Sequence, residues 1–346
     1  MKTNHKVLIS DSRDIKEIKD NSIDLVITSP PYPMIQMWDD LFSNLSLKTK
    51  KALDNYDGDA AFEAMHIELD KTWKEIERVS KNGAFVCINI GDATRTINGH
   101  FQLYSNHSRI IRSFKELGFT TLPNILWRKQ TNAPNKFMGS GMLPAGAYVT
   151  LEHEYILIFR KGNKRLFKTP DLKNQRMESA FFWEERNQWF SDIWEFKGIK
   201  QALNHKKLRE RSAAYPFELA YRLVNMYSQY NDTVLDPFLG TGTTTYACMA
   251  SGRNSIGVEI DSKFSDILVN DVTSLIDFLN NKIKNRITSH KEFIKEYALK
   301  GKTLKHANIN YDFPVMAKQE TKIKLQNISN IIIKDDLIFE VLSENI

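Results

Sequence analysis

Short apolar runs alternate along the chain with segments whose apolar residues recur at helical spacing. The runs 6–9, 23–28 and 84–90 have the length of buried strands, and residues 61–79 have the apolar spacing of a helix. This alternation predicts an α/β fold built on a largely parallel sheet. The same pattern predicts further strands at 122–129, 154–160, 233–236 and 255–259, and helices at 14–19, 108–117, 215–229 and 243–250.

Interruptions of this alternation divide the chain into segments. Residues 163–204 carry three of the six tryptophans among basic residues, so we interpret them as an insert. The insert separates two lobes of one α/β domain, residues 1–162 and 205–262. Residues 263–346 are predicted to form a helical C-terminal extension, and residues 34–60 an irregular loop with little periodicity.

Composition excludes several classes of protein. The 346 residues are 42% hydrophobic and 26% charged, which excludes a disordered or collagen-like chain. Cys87 and Cys248 lie far apart and lack metal-ligand spacing, so we expect a reduced, cytoplasmic protein without a metal site. No apolar run approaches the ~20 residues of a membrane span, and the N-terminus lacks an apolar signal core, so no membrane partner is expected.

The positive charge is concentrated in two windows. The chain has 48 Lys and Arg against 42 Asp and Glu, for a net charge of +6. Residues 160–211 alone carry a net charge of +7 and residues 282–305 a net charge of +6, so the remainder is acidic. Basic segments on an acidic body favour a polyanionic partner, and the alternative is a solvated helix face.

A glycine-containing turn follows the predicted strand 233–236. Residues 236–243 read Asp-Pro-Phe-Leu-Gly-Thr-Gly-Thr, and they lead into a predicted helix whose free N–H groups can face a ligand. Asp236 could take a cationic or hydroxyl group of that ligand, and Glu259, ending the next strand, could accept both ribose hydroxyls. Thr245 stands where a dinucleotide loop has its third glycine. A nucleoside without a pyrophosphate therefore fits best, and a plain tight turn is the alternative.

A second motif, Thr28-Ser29-Pro30-Pro31-Tyr32, follows the predicted strand 23–28. The two prolines stiffen the loop and remove local N–H donors. A hydroxyl, a free carbonyl and an aromatic face are thereby presented together, which suits an amino group held by two acceptors beside a stacked ring. The alternative is a rigid turn that ends the strand.

Together, and in this order, the two motifs resemble those of the S-adenosylmethionine-dependent amino-methyltransferases of DNA, in the permuted class called beta. The resemblance covers roughly residues 5–262. It implies a doubly wound, mostly parallel, seven-stranded Rossmann-like sheet with a small recognition insert. Residues 211–216 depart from the family's usual His-x-Ala-x-Phe-Pro run. The matching flanks are Ser10-Asp11-Ser12, Arg78–Gly83, Trp127-Arg128-Lys129, His153-Glu154, Tyr215-Pro216 and Gly257–Asp261.

The resemblance also implies roles for individual residues. Asp11 lies near the adenine ring of the cofactor, and Glu259 holds its ribose. The catalytic group, which holds a flipped-out base, consists of Ser29, Pro30, Pro31 and Tyr32. The cofactor-binding group consists of Asp11, Thr28, Asp236, Phe238, Gly240, Gly242, Thr243 and Glu259.

The implied reaction is methylation of an exocyclic amino group in double-stranded DNA, which requires the base to flip out of the duplex. In the resembling family a serine at position 29 is associated with cytosine N4 and an aspartate with adenine N6, so cytosine is preferred and adenine is the alternative. The insert 163–204 would read the target sequence. Methylation at carbon 5 is disfavoured, because neither cysteine lies in a predicted loop.

The expected setting is a restriction-modification system in a prokaryotic cytoplasm, associated with the nucleoid. Whether a cognate restriction endonuclease is encoded separately stays open, as does the oligomeric state. A non-catalytic DNA-binding module is a remote alternative that would not need Gly240 and Glu259. Methylation of RNA or protein amines is another.

Overall fold

The computed structural model describes residues 1–129, 138–197, 215–265, 272–335 and 337–346. The strands are β1 (Lys2–Ile9), β2 (Ile23–Thr28), β3 (Ser80–Ile90), β4 (Ala93–Ile97), β5 (His100–Tyr104), β6 (Phe119–Thr121), β7 (Ile125–Arg128), β8 (Met138–Gly139), β9 (Ala147–Tyr148), β10 (His153–Lys161), β11 (Ile193–Glu195), β12 (Thr233–Asp236), β13 (Asn254–Glu259), β14 (His306–Ala307), β15 (Pro314–Val315), β16 (Gln326–Asp335) and β17 (Ile338–Asn345). The α-helices are α1 (Asp39–Leu45), α2 (Leu47–Asp54), α3 (Gly58–Val79), α4 (Asn106–Glu116), α5 (Pro170–Glu178), α6 (Trp183–Trp189), α7 (Phe217–Tyr227), α8 (Thr243–Ser251) and α9 (Ile276–Leu299).

One large sheet organises the described part of the chain. Its strand order is β11-β7-β10-β3-β2-β12-β13-β1-β17-β16, and β6 pairs with β10. Neighbours from β3 to β1 run parallel, whereas β10 is antiparallel to both β3 and β7. The seven neighbouring strands from β7 to β1 are the predicted mostly parallel sheet, so the prediction of the fold class is confirmed.

The central strand β2 shows why its sequence is continuously apolar. Leu25 and Ile27 belong to one buried cluster and Val26 to the other, because alternate side chains point to opposite faces of the sheet. Both faces are covered by helices, with α3 and α4 on one side and α7, α8 and α9 on the other. A strand buried on both faces needs no polar alternation.

The sequence pattern predicts a helical C-terminal extension, but the structure shows both a helix and strands there. It contains the long helix α9, but residues 326–345 form the hairpin β16–β17. Strand β17 pairs antiparallel with β1 and so continues the main sheet. An antiparallel hairpin needs no crossover helix, so these two strands lack the strand–helix alternation on which the sequence prediction depends.

The insert packs as part of the same body. Phe182, Trp189 and Trp194 are buried with 0%, 5% and 2% of their surface exposed, whereas Trp183 and Phe190 are 42% exposed. Much of the insert's aromatic content therefore forms core. Its last strand, β11, pairs in parallel with β7 at the sheet edge. The final part of the insert, residues 198–204, lies outside the described residues.

The insert and the extension are joined by buried charge. The Arg286 guanidinium on α9 donates from Nε to Oε1 of Glu185 at 2.5 Å and from Nη2 to Oε2 at 2.8 Å. Phe182 stacks on the His290 ring, with centroids 4.1 Å apart. Arg286 was a candidate phosphate contact within the basic window 282–305, but its charge is already neutralised inside the protein.

Two local predictions were wrong. Residues 34–60 are not irregular, because α1 and α2 lie within them; Ser46 caps α2 by accepting from the Thr49 N–H at 3.4 Å. Residues 14–19 form turns and not a helix. A six-residue segment gains few helical hydrogen bonds, so tertiary contacts decide its conformation.

None of the helices in the described ranges combines the length and the hydropathy that crossing a bilayer requires.

Candidate active site

The two sequence motifs meet at one cavity. They follow β2 and β12, which are adjacent and parallel, so their carboxyl ends lie at the same edge of the sheet. A cavity of about 310 Å³ opens there. Ligands of open α/β sheets bind at this edge. The cavity is lined by predicted residues of both motifs, namely Asp11, Ser29, Pro30, Pro31, Phe238, Gly240, Thr243 and Glu259.

The glycine loop has the conformation that a closely approaching ligand needs. Gly240 and Gly242 have φ of +55° and +86°, in the left-handed region that favours glycine. Gly242 caps the N-terminus of α8. A Cβ built on Gly240 would meet no atom within 4 Å, so the space beside this residue is open. The loop thus leaves room at its backbone for a ligand.

Glu259 lies at the end of β13 beside that open space. Its Oε2 accepts from the Gly240 N–H at 2.8 Å, and its Oε1 accepts from the Asp261 N–H at 2.9 Å. One lone pair on each oxygen remains available, which fits two neighbouring hydroxyls. Burial raises the pKa of Glu259, and the two backbone donors oppose that rise.

Asp236, predicted to take a cationic or hydroxyl group of the ligand, is bonded to groups of the protein itself. Its Oδ1 accepts from Thr28 Oγ1 at 2.7 Å and from the Phe238 N–H at 3.1 Å. Its Oδ2 accepts from the Tyr215 hydroxyl at 3.1 Å and from Thr244 Oγ1 at 2.5 Å. Asp236 is 3% exposed and does not line the cavity. These four hydrogen bonds use the acceptor positions of both oxygens and hold the loop in its conformation.

Thr28 and Gly242 also act behind the cavity wall. Thr28 is fully buried and donates to Asp236, and Gly242 sets the start of α8. Neither residue lines the cavity. Both are predicted cofactor residues, and the structure places them directly behind residues that line the cavity.

Asp11 lines the cavity and is paired with Arg13. Arg13 donates from Nη2 to Asp11 Oδ2 at 2.6 Å and from Nη1 to Glu68 Oε2 at 2.5 Å. Burial works to raise the pKa of Asp11, but the hydrogen bonds and charge of Arg13, with a smaller contribution from Lys71, lower it overall. Asp11 is therefore a well-held anion at the cavity edge.

The Ser-Pro-Pro-Tyr turn forms the other wall. Ser29 and Tyr32 are partly exposed, and Ser29 Oγ lies 3.1 Å from the Tyr32 hydroxyl. Tyr32 does not itself line the cavity. A Cβ on Gly91 would come within 3.0 Å of Tyr32 Cε2, so the glycine lets the backbone lie against this ring. Burial, and then the charge of Glu154, raise the pKa of Tyr32 well above its usual range, so the phenol keeps its hydrogen.

A cluster of polar side chains lies behind Tyr32, and no function was assigned to it from the sequence. The Tyr32 hydroxyl donates to Glu154 Oε2 at 3.0 Å. Asn89 Nδ2 donates to the Tyr32 oxygen at 2.8 Å and to Glu154 Oε2 at 2.6 Å. Lys129 forms an ion pair with Glu154 Oε1. Lys129 and Glu154 were noted only as parts of the resemblance.

The helix α1 supplies a part of the cavity that no motif marked. Trp38, Leu41 and Phe42 line it, together with Arg13 and Glu68. Helical spacing within residues 39–45 is the available signal, but seven residues are too few for a reliable pattern.

The cysteines are excluded as nucleophiles. Cys87 and Cys248 are both free and fully buried, and burial raises the pKa of both thiols. Neither lines the cavity. A thiol that stays protonated is a poor nucleophile. Among the described residues, no group of three or more His, Cys, Asp and Glu side chains could hold a metal ion.

The fold places both motifs at one cavity on the edge of a mostly parallel α/β sheet, and comparison with known proteins shows the family. The family model described as DNA methylase, N6_N4_Mtase, matches residues 23–270. The chain therefore belongs to the family of N6 and N4 DNA methyltransferases, and it is an enzyme of that family.

Individual relatives agree with this assignment. The type II methyltransferase M.MthZI of Methanothermobacter thermautotrophicus is 54% identical over 94% of this chain and 91% of its own. The type II methyltransferase M.MjaI of Methanocaldococcus jannaschii is 51% identical over 77% and 90%. TTHA0409 of Thermus thermophilus, solved with S-adenosyl-L-methionine, is 30% identical, with a TM-score of 0.60 over 77% of this chain and 92% of its own. The prediction of an S-adenosylmethionine-dependent family is confirmed.

Proposed function

We propose that this protein transfers a methyl group from S-adenosylmethionine to the exocyclic amino group of a flipped-out base in double-stranded DNA, with N4 of cytosine as the acceptor. The supporting observation is that Ser29 and Pro30 line the same cavity as Gly240 and Glu259. The two groups that would accept the base amine then face the same space as the loop that would bind the nucleoside. The preference for cytosine rests on the serine at position 29, and adenine N6 is the alternative.

The residues of the cavity fit the cofactor. Glu259 would hold the ribose hydroxyls, Asp11 would lie near the adenine, and Phe238, Gly240 and Thr243 would line the remainder. The open space at the missing Gly240 Cβ supports this assignment. When bound, the cofactor supplies an electrophilic methyl group on a sulfonium.

The protein's own groups would prepare the acceptor amine. Ser29 Oγ and the Pro30 carbonyl would each accept one amine N–H, which draws the nitrogen towards tetrahedral geometry and frees its lone pair. Tyr32 would contact the extruded ring, and such stacking is worth about 1–3 kcal/mol. Positioning then supplies most of the rate enhancement.

Target recognition is assigned to the insert 163–204. Because Phe182, Trp189 and Trp194 are buried, Trp183 and Phe190 are the most exposed aromatic side chains of the described part of the insert and are proposed to contact DNA. Basic residues of the insert would neutralise phosphates, which makes affinity fall with salt. The names of the type II relatives support a restriction-modification setting, and a separately encoded endonuclease is a further proposal.

The base is identified by nucleoside analysis. Unmethylated bacterial DNA is incubated with protein and S-adenosylmethionine, digested to nucleosides and examined by mass spectrometry. N4-methyldeoxycytidine is expected; N6-methyldeoxyadenosine alone would select the alternative base. RNA and protein substrates incubated in parallel should remain unmethylated.

The turn is tested by substitution. Ser29→Ala and Tyr32→Ala should each reduce methyl transfer sharply, because an amine acceptor or a stacking face is lost. Cofactor affinity, measured by calorimetry, should stay within about twofold, since neither residue is assigned to the cofactor. Full activity of Ser29→Ala would refute the proposed role of the turn.

A further inference from the structure

The side chains behind Ser29 form one continuous hydrogen-bonded chain that ends on a carboxylate. Ser29 Oγ lies 3.1 Å from the Tyr32 oxygen, and the Tyr32 oxygen lies 3.0 Å from Glu154 Oε2. This hydrogen-bonded chain joins Tyr32, which follows β2, to Glu154 at the start of β10, 122 positions further along the sequence. The Glu154 side chain is 13% exposed, and its partner Lys129 is 38% exposed, so the hydrogen-bonded chain ends near solvent.

The direction of these hydrogen bonds follows from the donors available. An ionised carboxylate only accepts, so both Tyr32 and Asn89 donate to Glu154 Oε2. The single phenolic hydrogen of Tyr32 is thereby used. Because that hydrogen goes to Glu154, the Tyr32 oxygen can only accept from Ser29, as it also accepts from Asn89. The Ser29 hydrogen therefore points towards Tyr32, and the lone pairs of Ser29 Oγ are left free.

This arrangement meets a chemical need of the reaction. Forming the new nitrogen–carbon bond leaves a positive charge on the amine nitrogen, while the electron pair of the broken sulfur–carbon bond goes to sulfur. The nitrogen then has one proton too many. Pro30 offers only a carbonyl and Ser29 only a hydroxyl, and neither is basic enough to keep a proton.

We propose that Glu154 is the final proton acceptor of methyl transfer, reached through Ser29 and Tyr32. The amine proton passes to Ser29 Oγ as the Ser29 proton passes to Tyr32 and the Tyr32 proton passes to Glu154. The carboxylate becomes a carboxylic acid, the hydroxyls are regenerated, and Glu154 later loses the proton to solvent. This inference rests on the proposed function of the Ser-Pro-Pro-Tyr turn.

The first test replaces the carboxylate with an isosteric amide. Glu154→Gln keeps the size of the side chain and one acceptor oxygen for Tyr32 and Asn89 but cannot take up a proton. We expect kcat to fall by at least about tenfold, with KM for DNA and the cofactor dissociation constant unchanged within about twofold. Glu154→Asp, which keeps a carboxylate, should recover part of the loss. The matched control is Glu152→Gln on a neighbouring acidic residue that pairs with Arg128 at 3.4 Å, and it should leave kcat unchanged.

The second test asks whether Glu154 acts through the Tyr32 hydroxyl. Tyr32→Phe keeps the ring and interrupts the chain. Adding Glu154→Gln to Tyr32→Phe should then lower kcat by no more than about twofold further. This comparison of single and double variants remains informative even if Glu154→Gln alone folds poorly. A structural defect would lower the amount of folded protein equally with and without the Tyr32 hydroxyl, as circular dichroism would show.

The third test is a pH profile of kcat at saturating substrates. In the described residues, the charged or titratable side chains bonded to Glu154 are Tyr32 and Lys129. A carboxylate accepts a proton only when ionised, so the rate of the unmodified protein should fall on acidification. Glu154→Gln should remove that fall.

The outcomes separate this inference from the proposed function. An inactive Ser29→Ala together with a fully active Glu154→Gln would refute the role of Glu154 and leave the function of the turn intact. Equal losses from Glu154→Gln with and without the Tyr32 hydroxyl would also refute it. A fully active Ser29→Ala would instead refute the proposed function itself.

Discussion

Thr28 at the end of β2 donates its hydroxyl hydrogen to Asp236 at the end of β12, across 2.7 Å and 208 residues of sequence. The first residue belongs to the Ser-Pro-Pro-Tyr motif and the second to the glycine loop. Both are buried, so this bond fixes the two motifs against each other inside the protein. The order of the motifs along the chain is therefore unimportant to the site, because adjacent parallel strands bring them together.

Removing this bond should weaken the joint between the motifs. Thr28→Val keeps the shape of the side chain and leaves Asp236 Oδ1 with one donor fewer. We expect a loss of about 1–3 kcal/mol in the free energy of unfolding. Urea denaturation measures it. Thr120→Val, at an exposed position of β6, is the control and should change stability by less than about 0.5 kcal/mol.

Glu259→Ala should weaken cofactor binding. The ribose hydroxyls would lose a charged acceptor, and such hydrogen bonds are worth about 1.5–3 kcal/mol, which is roughly 10- to 100-fold in the dissociation constant. Calorimetry with S-adenosylmethionine measures the change. An unaltered dissociation constant would contradict the assignment of Glu259, and the exposed Glu116→Gln serves as control.

Gly240→Ala tests whether this glycine is needed only for its backbone conformation or also for space beside the cofactor. The left-handed φ of Gly240 should cost an alanine about 1–2 kcal/mol of stability. Gly301 offers a matched control, with φ of +69° and equally open space around a built Cβ, but far from the cavity lining. Both variants should lose similar stability in thermal denaturation. Only Gly240→Ala should also lose cofactor affinity, and an equal loss in both would mean that the loop does not contact the cofactor.

Arg286→Met should destabilise the junction between the insert and the extension. It leaves the Glu185 carboxylate buried without its partner, at a cost of about 3–5 kcal/mol. Adding Glu185→Leu should restore much of that loss, because the unpaired carboxylate at this position is then removed. Denaturant titrations of the three proteins give the comparison. The exposed pair Arg112 and Glu116 is the control, and Arg112→Met should cost less than about 0.5 kcal/mol.

His290 should make stability depend on pH. Its Nδ1 faces Glu184 Oε1 at 2.8 Å and its Nε2 faces the Pro314 carbonyl at 3.0 Å, so both nitrogens face acceptors. Burial works to lower the pKa of His290, but the bond and charge of Glu184 raise it overall, with support from Glu320.

A raised pKa means that the folded protein binds this proton more tightly than the unfolded chain does. The stabilisation is therefore complete below the ordinary histidine pKa and is lost as pH rises through the raised value. Melting temperatures measured across neutral pH should show this decline. His290→Gln should flatten it, and an unchanged decline in that variant would assign it to another group.

Local patterns were sufficient for the elements whose surroundings are regular. The strand 233–236, the glycine turn and the acidic end of β13 were predicted at their observed positions. A strand buried on both faces and a left-handed turn impose strict residue choices, so their chemistry is visible in a short window. The alternation of such windows also determined the α/β class.

Tertiary structure alone decided how distant groups are used. Asp236 was predicted to meet the cofactor, but partners from three other segments occupy its oxygens. The hairpin β16–β17 and the buried face of the insert depend on edges and clusters that only the assembled sheet provides. The Tyr32–Glu154 contact joins residues 122 positions apart. A sequence window records the residue types that a site needs, whereas the partners of a buried polar atom are fixed by the packing of the whole chain.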